Sequence, residues 1–300
     1  MKDELHRRVA EAQRPWNGNF HGGPALRLSA YVVGFLSILL AGCGTYSPLD
    51  SHYNRGVEYY DQGRLADAIR EYRLALDDQP GHVRARFNLA ACFHDQGKNE
   101  EAEREYRKVL ELHPENARAL VSLAALRPDE EARTLLEQAC KADPDSGFPR
   151  SSLAAWHERK GDVERAMAEY RASVAIEPGH AAGHGGIARL LIGQQNLDAA
   201  AAAYDLALAA EPDDVAALVG SSEVRERKGD AKIAALHLER ALVHARGRAD
   251  LWARLAALYE SLDRLEDAVA ALWEARAIDP KSPVGPRLRA LYEKLAARER

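Results

Sequence analysis

A short segment with the same residue pattern recurs along this chain at a fixed spacing. Residues 66–80 (ADAIREYRLALDDQP) and 100–114 (EEAEREYRKVLELHP) align without gaps, and the same interval separates 164–178 from 198–212. A further copy occupies 266–280. A fixed period of about 34 residues predicts a linear array of similar units in which each unit contacts its neighbours.

The residue types in each copy predict an amphipathic helix. A small residue is followed four positions later by a large one, which places both on one helix face. The small residues are Ala68, Ala102, Ala166, Ala200, Ala234 and Ala268, and the large ones are Tyr72, Tyr106, Tyr170, Tyr204, Leu238 and Leu272. Most copies end in a proline, which stops a helix, and Gly63, Gly97, Gly161 and Gly229 precede four copies as turn residues. Each repeat is therefore predicted to be a helical hairpin.

The period and these residue types together resemble the tetratricopeptide repeat. The resemblance implies an all-α superhelical solenoid of antiparallel helix pairs, whose first helices line a concave groove that binds peptides or partner proteins. We expect seven repeats, at 49–82, 83–116, 117–146, 147–180, 181–214, 215–248 and 249–282, and a capping helix over 283–300. The third repeat is shorter than the others and carries Arg127-Pro128 at its turn, so its hairpin is expected to be irregular.

The resemblance also assigns groove positions, repeat by repeat. We call the first set the aromatic groove segment: Tyr53, Val57, Tyr60, Phe87, Asn88, Ala91 and His94. The charged groove segment comprises Arg118, Ser122, Ser151, Glu158, Arg189, Glu223, Glu226, Arg227 and Glu260. Tyr53, Tyr60 and Phe87 are the preferred contact residues because aromatic side chains dominate binding hot spots. A packing role in the helical core is the alternative for each of them.

Some tetratricopeptide proteins hold a terminal carboxylate with a clamp of Lys, Asn, Asn, Lys and Arg. At the corresponding positions of this chain, Asn88 matches and Arg118 conserves the charge, whereas Tyr53, Val57 and Ser122 differ. We therefore do not expect this chain to recognise chaperone tails by that mechanism.

An uncharged, mostly apolar run, 28–42, precedes the repeats and is followed directly by a cysteine. Its length is that of the apolar part of a signal peptide, and it is short for a bilayer span. The order Leu40-Ala41-Gly42-Cys43 resembles the lipobox of bacterial lipoproteins. That resemblance implies cleavage after residue 42, acyl chains on Cys43 as the only attached group, and a lipidated tether over 43–48. An uncleaved membrane anchor and a buried segment of a soluble domain are the alternatives.

Two features qualify this export signal. Asp3, Glu4 and Glu11 are unusual for a positively charged leader, so we hypothesise that residues 1–25 precede the true start, at Leu26. Gly44 follows the cysteine, a pattern that in Gram-negative lipoproteins permits transfer to the outer membrane. The expected location is the periplasmic face of the outer membrane, with the inner membrane as the alternative.

Composition and motifs give little sign of catalysis or nucleic-acid binding. The formal net charge is only −5, and three cysteines cannot form a disulfide framework. His180 and His184 have a spacing that could hold a metal ion on a helix, but no third ligand lies nearby in sequence. Cys92 and Cys140 are interpreted as core residues, with a disulfide as the alternative. We expect neither an enzyme nor a resident cofactor or metal.

The sequence thus predicts a lipid-anchored, non-catalytic scaffold that binds envelope proteins or peptides. It resembles the tetratricopeptide lipoproteins that help assemble type IV pili or secretin channels, and others tied to outer-membrane assembly and exopolysaccharide export. An adaptor that regulates peptidoglycan hydrolases, or a subunit of an envelope enzyme, remains the alternative.

Overall fold

The computed structural model describes residues 48–127 and 129–298, and these residues form fifteen α-helices. In chain order the helices are α1 Pro48–Asp61, α2 Leu65–Asp78, α3 Val83–Asp95, α4 Asn99–Leu112, α5 Ala117–Ala125, α6 Asp129–Ala142, α7 Gly147–Arg159, α8 Val163–Ile176, α9 Ala181–Gly193, α10 Leu197–Ala210, α11 Val215–Arg227, α12 Ala231–His244, α13 Ala249–Ser261, α14 Leu265–Ile278 and α15 Gly285–Arg298. The all-α solenoid of helix pairs predicted from the sequence is confirmed. The predicted signal segment and Cys43 lie outside the described residues.

The described helices belong to two compact units. The N-terminal unit contains α1–α6 and ends at Ala142, and the C-terminal unit begins at Asp143 and contains α7–α15. None of the described helices is long and apolar enough to cross a bilayer.

Consecutive helices pair as hairpins, and the turn within most hairpins uses a left-handed residue. Gly63, Gly97, Gly161 and Gly229 have φ between 70° and 83°. Two hairpins without a turn glycine reach the same conformation with Gln195 (φ 59°) and Asp263 (φ 63°). The third hairpin differs, because α5 has only 9 residues and ends just before Arg127-Pro128. The irregularity predicted for that repeat is therefore present.

Alanines on the second helices let the two helices of a hairpin approach closely. Ala68, Ala102, Ala166, Ala200, Ala234 and Ala268 all have zero solvent exposure. Tyr72, Leu89, Phe93 and Tyr106 are buried in the N-terminal unit, and Leu238, Leu255, Leu272 and Leu291 in the C-terminal unit. The hydrophobic core is thus a row of similar contacts, as the period predicts.

A recurring polar contact joins the two helices of several hairpins, and its partners are 19 residues apart in sequence each time. The pairs are His52 Nδ1 to Glu71 Oε2 (2.7 Å), Arg86 to Glu105 (2.9 Å) and Arg150 to Glu169 (3.0 Å). In the sixth repeat the same two positions hold Leu218 and His237. Among the described residues, His237 Nδ1 is a buried nitrogen without a hydrogen-bond partner. Burial lowers the pKa of His237, and the nearby Arg240 and Arg225 lower it further.

The last helix covers the end of the C-terminal unit. α15 buries Leu288, Leu291 and Leu295 against the preceding hairpin. On its polar side, Arg287 and Lys294 donate to Glu260 at 2.9 and 2.6 Å. Glu260, assigned to the groove by sequence, therefore pairs with this helix.

Candidate functional site

Two residues of the aromatic groove segment are half-buried in the N-terminal unit. The Tyr53 ring stacks on His82 with centroids 5.0 Å apart, and it also lies 6.1 Å from the Tyr72 ring. Val57 packs against the same core cluster. Both side chains therefore contribute to the packing between α1 and the next helices, and leave only part of their surface for a partner.

Tyr60 is the most accessible aromatic residue of that segment, at 38% exposure. Its hydroxyl donates to Asp95 Oδ2 at 2.7 Å and so connects α1 with the end of α3. The hydrogen bond to Asp95, together with burial, raises the pKa of Tyr60 to about 12. The phenol is therefore a neutral donor at physiological pH, on a side chain that is partly exposed. His94, one residue before Asp95, is half-buried.

The neighbouring positions on α3 are partly engaged within the fold. The Phe87 ring is half-buried and lies 5.5 Å from the Tyr106 ring. Asn88 Nδ2 donates to the Tyr72 hydroxyl at 3.2 Å. Arg118 on α5 is exposed. Asn88, the clamp-like residue of the sequence, thus has a structural partner.

In four repeats a buried tyrosine on the second helix lies opposite one residue of the next first helix. This contact was not predicted from the sequence. Tyr72, Tyr106, Tyr170 and Tyr204 are at most 3% exposed. The residues 16 positions after them are Asn88, Ser122, Gly186 and Gly220. In the N-terminal unit Asn88 bonds Tyr72, and Ser122 forms a hydrogen bond with Tyr106. The regular spacing between a tyrosine and a later glycine was the available signal in the sequence.

The two glycines make room for the tyrosine rings of the C-terminal unit. A Cβ at Gly186 would lie 2.2 Å from Cζ of Tyr170, and a Cβ at Gly220 would lie 2.2 Å from the hydroxyl oxygen of Tyr204. No real side chain tolerates such distances. Each glycine therefore leaves room for a tyrosine side chain against the next first helix.

Tyr170 meets a pair of charged residues predicted for the groove. Its hydroxyl donates to Glu158 Oε2 at 2.7 Å, and Arg189 donates to both oxygens of Glu158 at 3.0 Å. Burial alone would raise the pKa of Glu158, but the hydrogen bonds from Arg189 and Tyr170 outweigh it and lower the pKa. The two predicted residues do come together, and they neutralise each other.

Further along, other groove charges are also paired. Arg227 donates to Glu223 at 2.5 Å, Arg254 to Glu226 at 3.4 Å, and Arg248 to Asp250 at 2.6 Å. The charged groove segment therefore offers mostly compensated charge to a partner. Ser151, also assigned to it, is buried and hydrogen-bonds His180 at 2.8 Å.

Two adjoining cavities lie along the first helices of the C-terminal unit. One, of about 720 Å³, is lined by Arg189, Ile192, Tyr204, Val219 and Glu223 among others. The second, of about 270 Å³, extends to Phe148 on α7 and shares Arg189 and Tyr204 with the first. We call the surface of α7, α9 and α11 that carries both cavities the C-terminal groove.

The histidine pair considered as a metal site has other contacts. His180 reaches Ser151, whereas His184 Nε2 lies 2.8 Å from the carbonyl oxygen of Pro178. Arg86 and Trp252, at the equivalent repeat position, bond a carbonyl six residues earlier in the same way. His184 therefore stabilises the loop that precedes α9. Within the described residues no cluster of three metal-ligating side chains occurs.

Cys92 lies in the core of the N-terminal unit, where it is fully buried. Burial raises the pKa of its thiol to about 12. The thiol is protonated at physiological pH and therefore unreactive as a nucleophile.

Comparisons with known proteins agree with this architecture. Two family models, both described as tetratricopeptide repeat, match residues 53–117 and 95–146 in one case and 158–221 in the other. Together they span just over half of the 300 residues. No curated protein sequence matches the chain.

Solved structures show the same fold at low sequence identity. A chain of the APC/C hetero-tetramer Cut9–Hcn1 is 16% identical with a TM-score of 0.63, and the match spans 80% of this chain but only 47% of that one. A tetratricopeptide repeat protein from Parabacteroides merdae is 17% identical with a TM-score of 0.52, over 81% of this chain and 98% of that one. At these identities the likeness concerns the fold alone.

Proposed function

Because this chain belongs to the tetratricopeptide-repeat family, whose members are generally non-catalytic scaffolds for protein–protein interaction, we propose that it is a membrane-anchored scaffold in the bacterial cell envelope. It holds a subunit of an envelope machine, such as a pilus, a secretin or an exopolysaccharide export complex, while that machine assembles.

The observation that carries the interaction role is the C-terminal groove. Its two cavities adjoin along three first helices, and the larger one, at about 720 Å³, falls in the size range of ligand sites. A segment of a partner protein would bind there, in the space between the side chains of these helices.

The lipobox supports the membrane anchor. Only the short segment 44–47 separates Cys43 from the start of α1 at Pro48. Fully extended, it spans about 14 Å. A diacylglyceryl group with a further acyl chain anchors stably, whereas one chain does not. The proposed anchor therefore holds the first repeat close to the membrane, on its periplasmic face.

Lipidation is tested with Cys43→Ser in the full chain. We expect the wild type to incorporate labelled palmitate and to fractionate with the outer membrane. The variant should incorporate none and leave the outer-membrane fraction. Identical labelling and fractionation of the two proteins would contradict the anchor but would leave the interaction role untouched.

The partner is tested by a photo-crosslinking residue placed in the groove at Arg189. A matched variant carries the same crosslinker at Arg104, an exposed position on the second helix α4. We expect Arg189 to capture a subunit of an envelope assembly and Arg104 to capture none. Capture of a peptidoglycan hydrolase would favour the adaptor alternative, and equal capture from both positions would contradict groove binding.

A further inference from the structure

Two apolar clusters of the C-terminal unit meet inside the sixth hairpin. On α11, Ala217 and Val224 are buried together with side chains of α9 and α10. On α12, Leu238 and Leu242 are buried together with side chains of α13, α14 and α15. The half-buried Val219 of α11 also packs against this second cluster. The boundary between the two clusters therefore lies between α11 and α12.

Polar residues occupy the buried face of α11 at this boundary. Ser221, at zero exposure, stands where other first helices bury a leucine. Those leucines are Leu89, Leu123, Leu153 and Leu255. Ser222, also at zero exposure, stands where the other first helices have alanine or glycine, and Arg225 stands where Phe93 and Tyr259 are buried. These three residues share one helix face because they are three and four positions apart.

The polar groups at this boundary are poorly satisfied. Within the described part of the chain, Ser221 and Ser222 carry the only buried hydroxyls without a hydrogen-bond partner. Arg225 reaches Asp205 with a terminal nitrogen, but its Nε has no partner, nor has Nδ1 of His237 on α12. A serine in a leucine position loses apolar contacts, and its hydroxyl loses hydration. The interface between α11 and α12 is therefore weak for a hairpin of this array.

Other contacts across the boundary add little. α7 packs directly against α9, and α9 against α11. Among the described helices, α11 and α13 make no comparable contact, and α13 packs against α12 and α14. Arg240 of α12 donates to the carbonyl oxygen of Pro212 and lies 3.5 Å from Asp213, and Arg254 lies 3.4 Å from Glu226. Such partly exposed ion pairs contribute little to stability.

We propose that the interface between α11 and α12 is a built-in breaking point of the C-terminal unit, at which α12–α15 open together while α7–α11 stay folded. In a repeat array each unit is held by its neighbours, so one weak interface divides the array into segments that open separately. Opening uncovers the buried faces of α11 and α12. The inference depends neither on the lipid anchor nor on the binding role of the groove.

The chain contains a matched pair of turns for the test. Residues 158–162 and 226–230 have the same sequence, ERKGD, and both turns place their glycine at positive φ. Trypsin needs an extended segment, so the rate of cleavage after Lys160 or Lys228 reports how often the flanking helices open. In the full chain, purified in detergent, we expect cleavage after Lys228 to be about tenfold faster. Equal rates, or faster cleavage after Lys160, would overturn the inference.

Matched serine substitutions test the cause. The double change Ser221→Ala and Ser222→Ala removes the two unbonded hydroxyls and should slow cleavage after Lys228 about tenfold, without affecting Lys160. Ser173→Ala, in the hairpin of Lys160, removes a buried hydroxyl that donates to the carbonyl oxygen of Gly147 at 2.8 Å. It should not slow cleavage after Lys160. Circular dichroism checks that the variants are folded. An unchanged rate in the double variant, or an equal slowing by Ser173→Ala, would overturn the inference.

Hydrogen exchange in low concentrations of urea locates the boundary. The amides of α12–α15 should exchange through one shared opening with a common urea dependence. The amides of α7–α11 should require an opening of higher free energy. One opening common to all helices of the C-terminal unit, or a boundary at another turn, would overturn the inference.

Discussion

The junctions between repeats differ between the two units at one position. In the N-terminal unit the buried tyrosines Tyr72 and Tyr106 have polar partners on the next first helix, Asn88 and Ser122. At two junctions of the C-terminal unit, after Tyr170 and Tyr204, that position is glycine, and the tyrosine side chain occupies the space of the missing one. The junctions of the N-terminal unit are closed, because the residue at that position bonds the tyrosine hydroxyl. The two glycine junctions are open at that position: the Tyr170 hydroxyl bonds Glu158 and Arg189 instead, and Tyr204 lines both cavities.

This difference shows how a repeat array can vary its surface while the arrangement and packing of its helices stay the same. The tyrosine itself is a packing residue in both units, with the same low exposure. What changes is the residue opposite its hydroxyl. A glycine at this position frees the tyrosine hydroxyl from the next first helix, and at Gly186 the neighbouring Glu158 and Arg189 bond that hydroxyl instead.

The strongest test of the comparison is Gly186→Ala. Its Cβ would lie 2.2 Å from the Tyr170 ring, so the ring or the helix has to move. We expect the free energy of unfolding around α9 to fall by about 1–3 kcal/mol, as in other overpacked cores. Native-state hydrogen exchange of the α9 amides measures it.

The adjacent residue is the control for that change. A Cβ at Gly185 meets no atom within 4 Å. Gly185→Ala should therefore stabilise the helix by up to about 1 kcal/mol, because alanine has less backbone entropy to lose. If both substitutions changed the free energy of unfolding in the same direction, the close approach of Gly186 and Tyr170 would be contradicted.

The reverse change, Asn88→Gly, converts a closed junction into an open one. It removes the hydrogen bond to Tyr72, worth about 1 kcal/mol, and adds the helical cost of a glycine. We expect a loss of about 1–2 kcal/mol in the exchange stability of α3. Asn88→Ser, which copies Ser122, should lose less than half as much. Equal losses would show that the Tyr72 contact is irrelevant.

The succession of helical hairpins could be predicted from the sequence because it depends on local features that recur with the repeat. The alanines at zero exposure, the turn glycines with positive φ, and the short α5 before Arg127-Pro128 all follow from spacing and backbone preference. These features act within one hairpin. They are therefore visible in a window the length of a single repeat.

The character of the groove could not be predicted in the same way. Glu158 and Arg189 were assigned to a charged surface, but they belong to successive repeats and pair across a distance of 31 residues. Whether two such side chains meet depends on rotamers and on the angle between repeats. Tyr204 was missed because its register with Gly220 also crosses a repeat boundary. The charge and hydrogen bonding of the groove surface thus depend on contacts between repeats, which the pattern within one repeat does not predict.

A smaller effect is expected from pH, at the hairpin of the sixth repeat, which lacks the recurring polar contact between its helices. Burial, Arg240 and Arg225 lower the pKa of His237 below its usual value of 6.5. The unfolded chain therefore binds more protons near pH 6, so stability falls as the pH decreases below 6.5. From pH 7.5 to 5.5 the loss at α11–α12 is at most about 1.4 kcal/mol, the limit for one proton.

Hydrogen exchange of the α12 amides at the two pH values, corrected for intrinsic rates, measures this loss. His237→Gln removes the titrating group and should flatten the dependence in this hairpin. A variant that kept the full pH dependence would show that another group is responsible.

The smallest effect separates the two kinds of junction most directly. Tyr72→Phe leaves the half-buried amide of Asn88 without its partner and should cost about 1 kcal/mol. Tyr204→Phe removes a hydroxyl that bonds no group in the described part of the chain, so the expected change is within about 0.5 kcal/mol of zero. Denaturant titration of both variants, with exchange at α3 and α11 to localise the change, measures the difference. A destabilisation by Tyr204→Phe as large as that by Tyr72→Phe would mean that the Tyr204 hydroxyl already has a structural role, and that the groove holds no free group for a ligand.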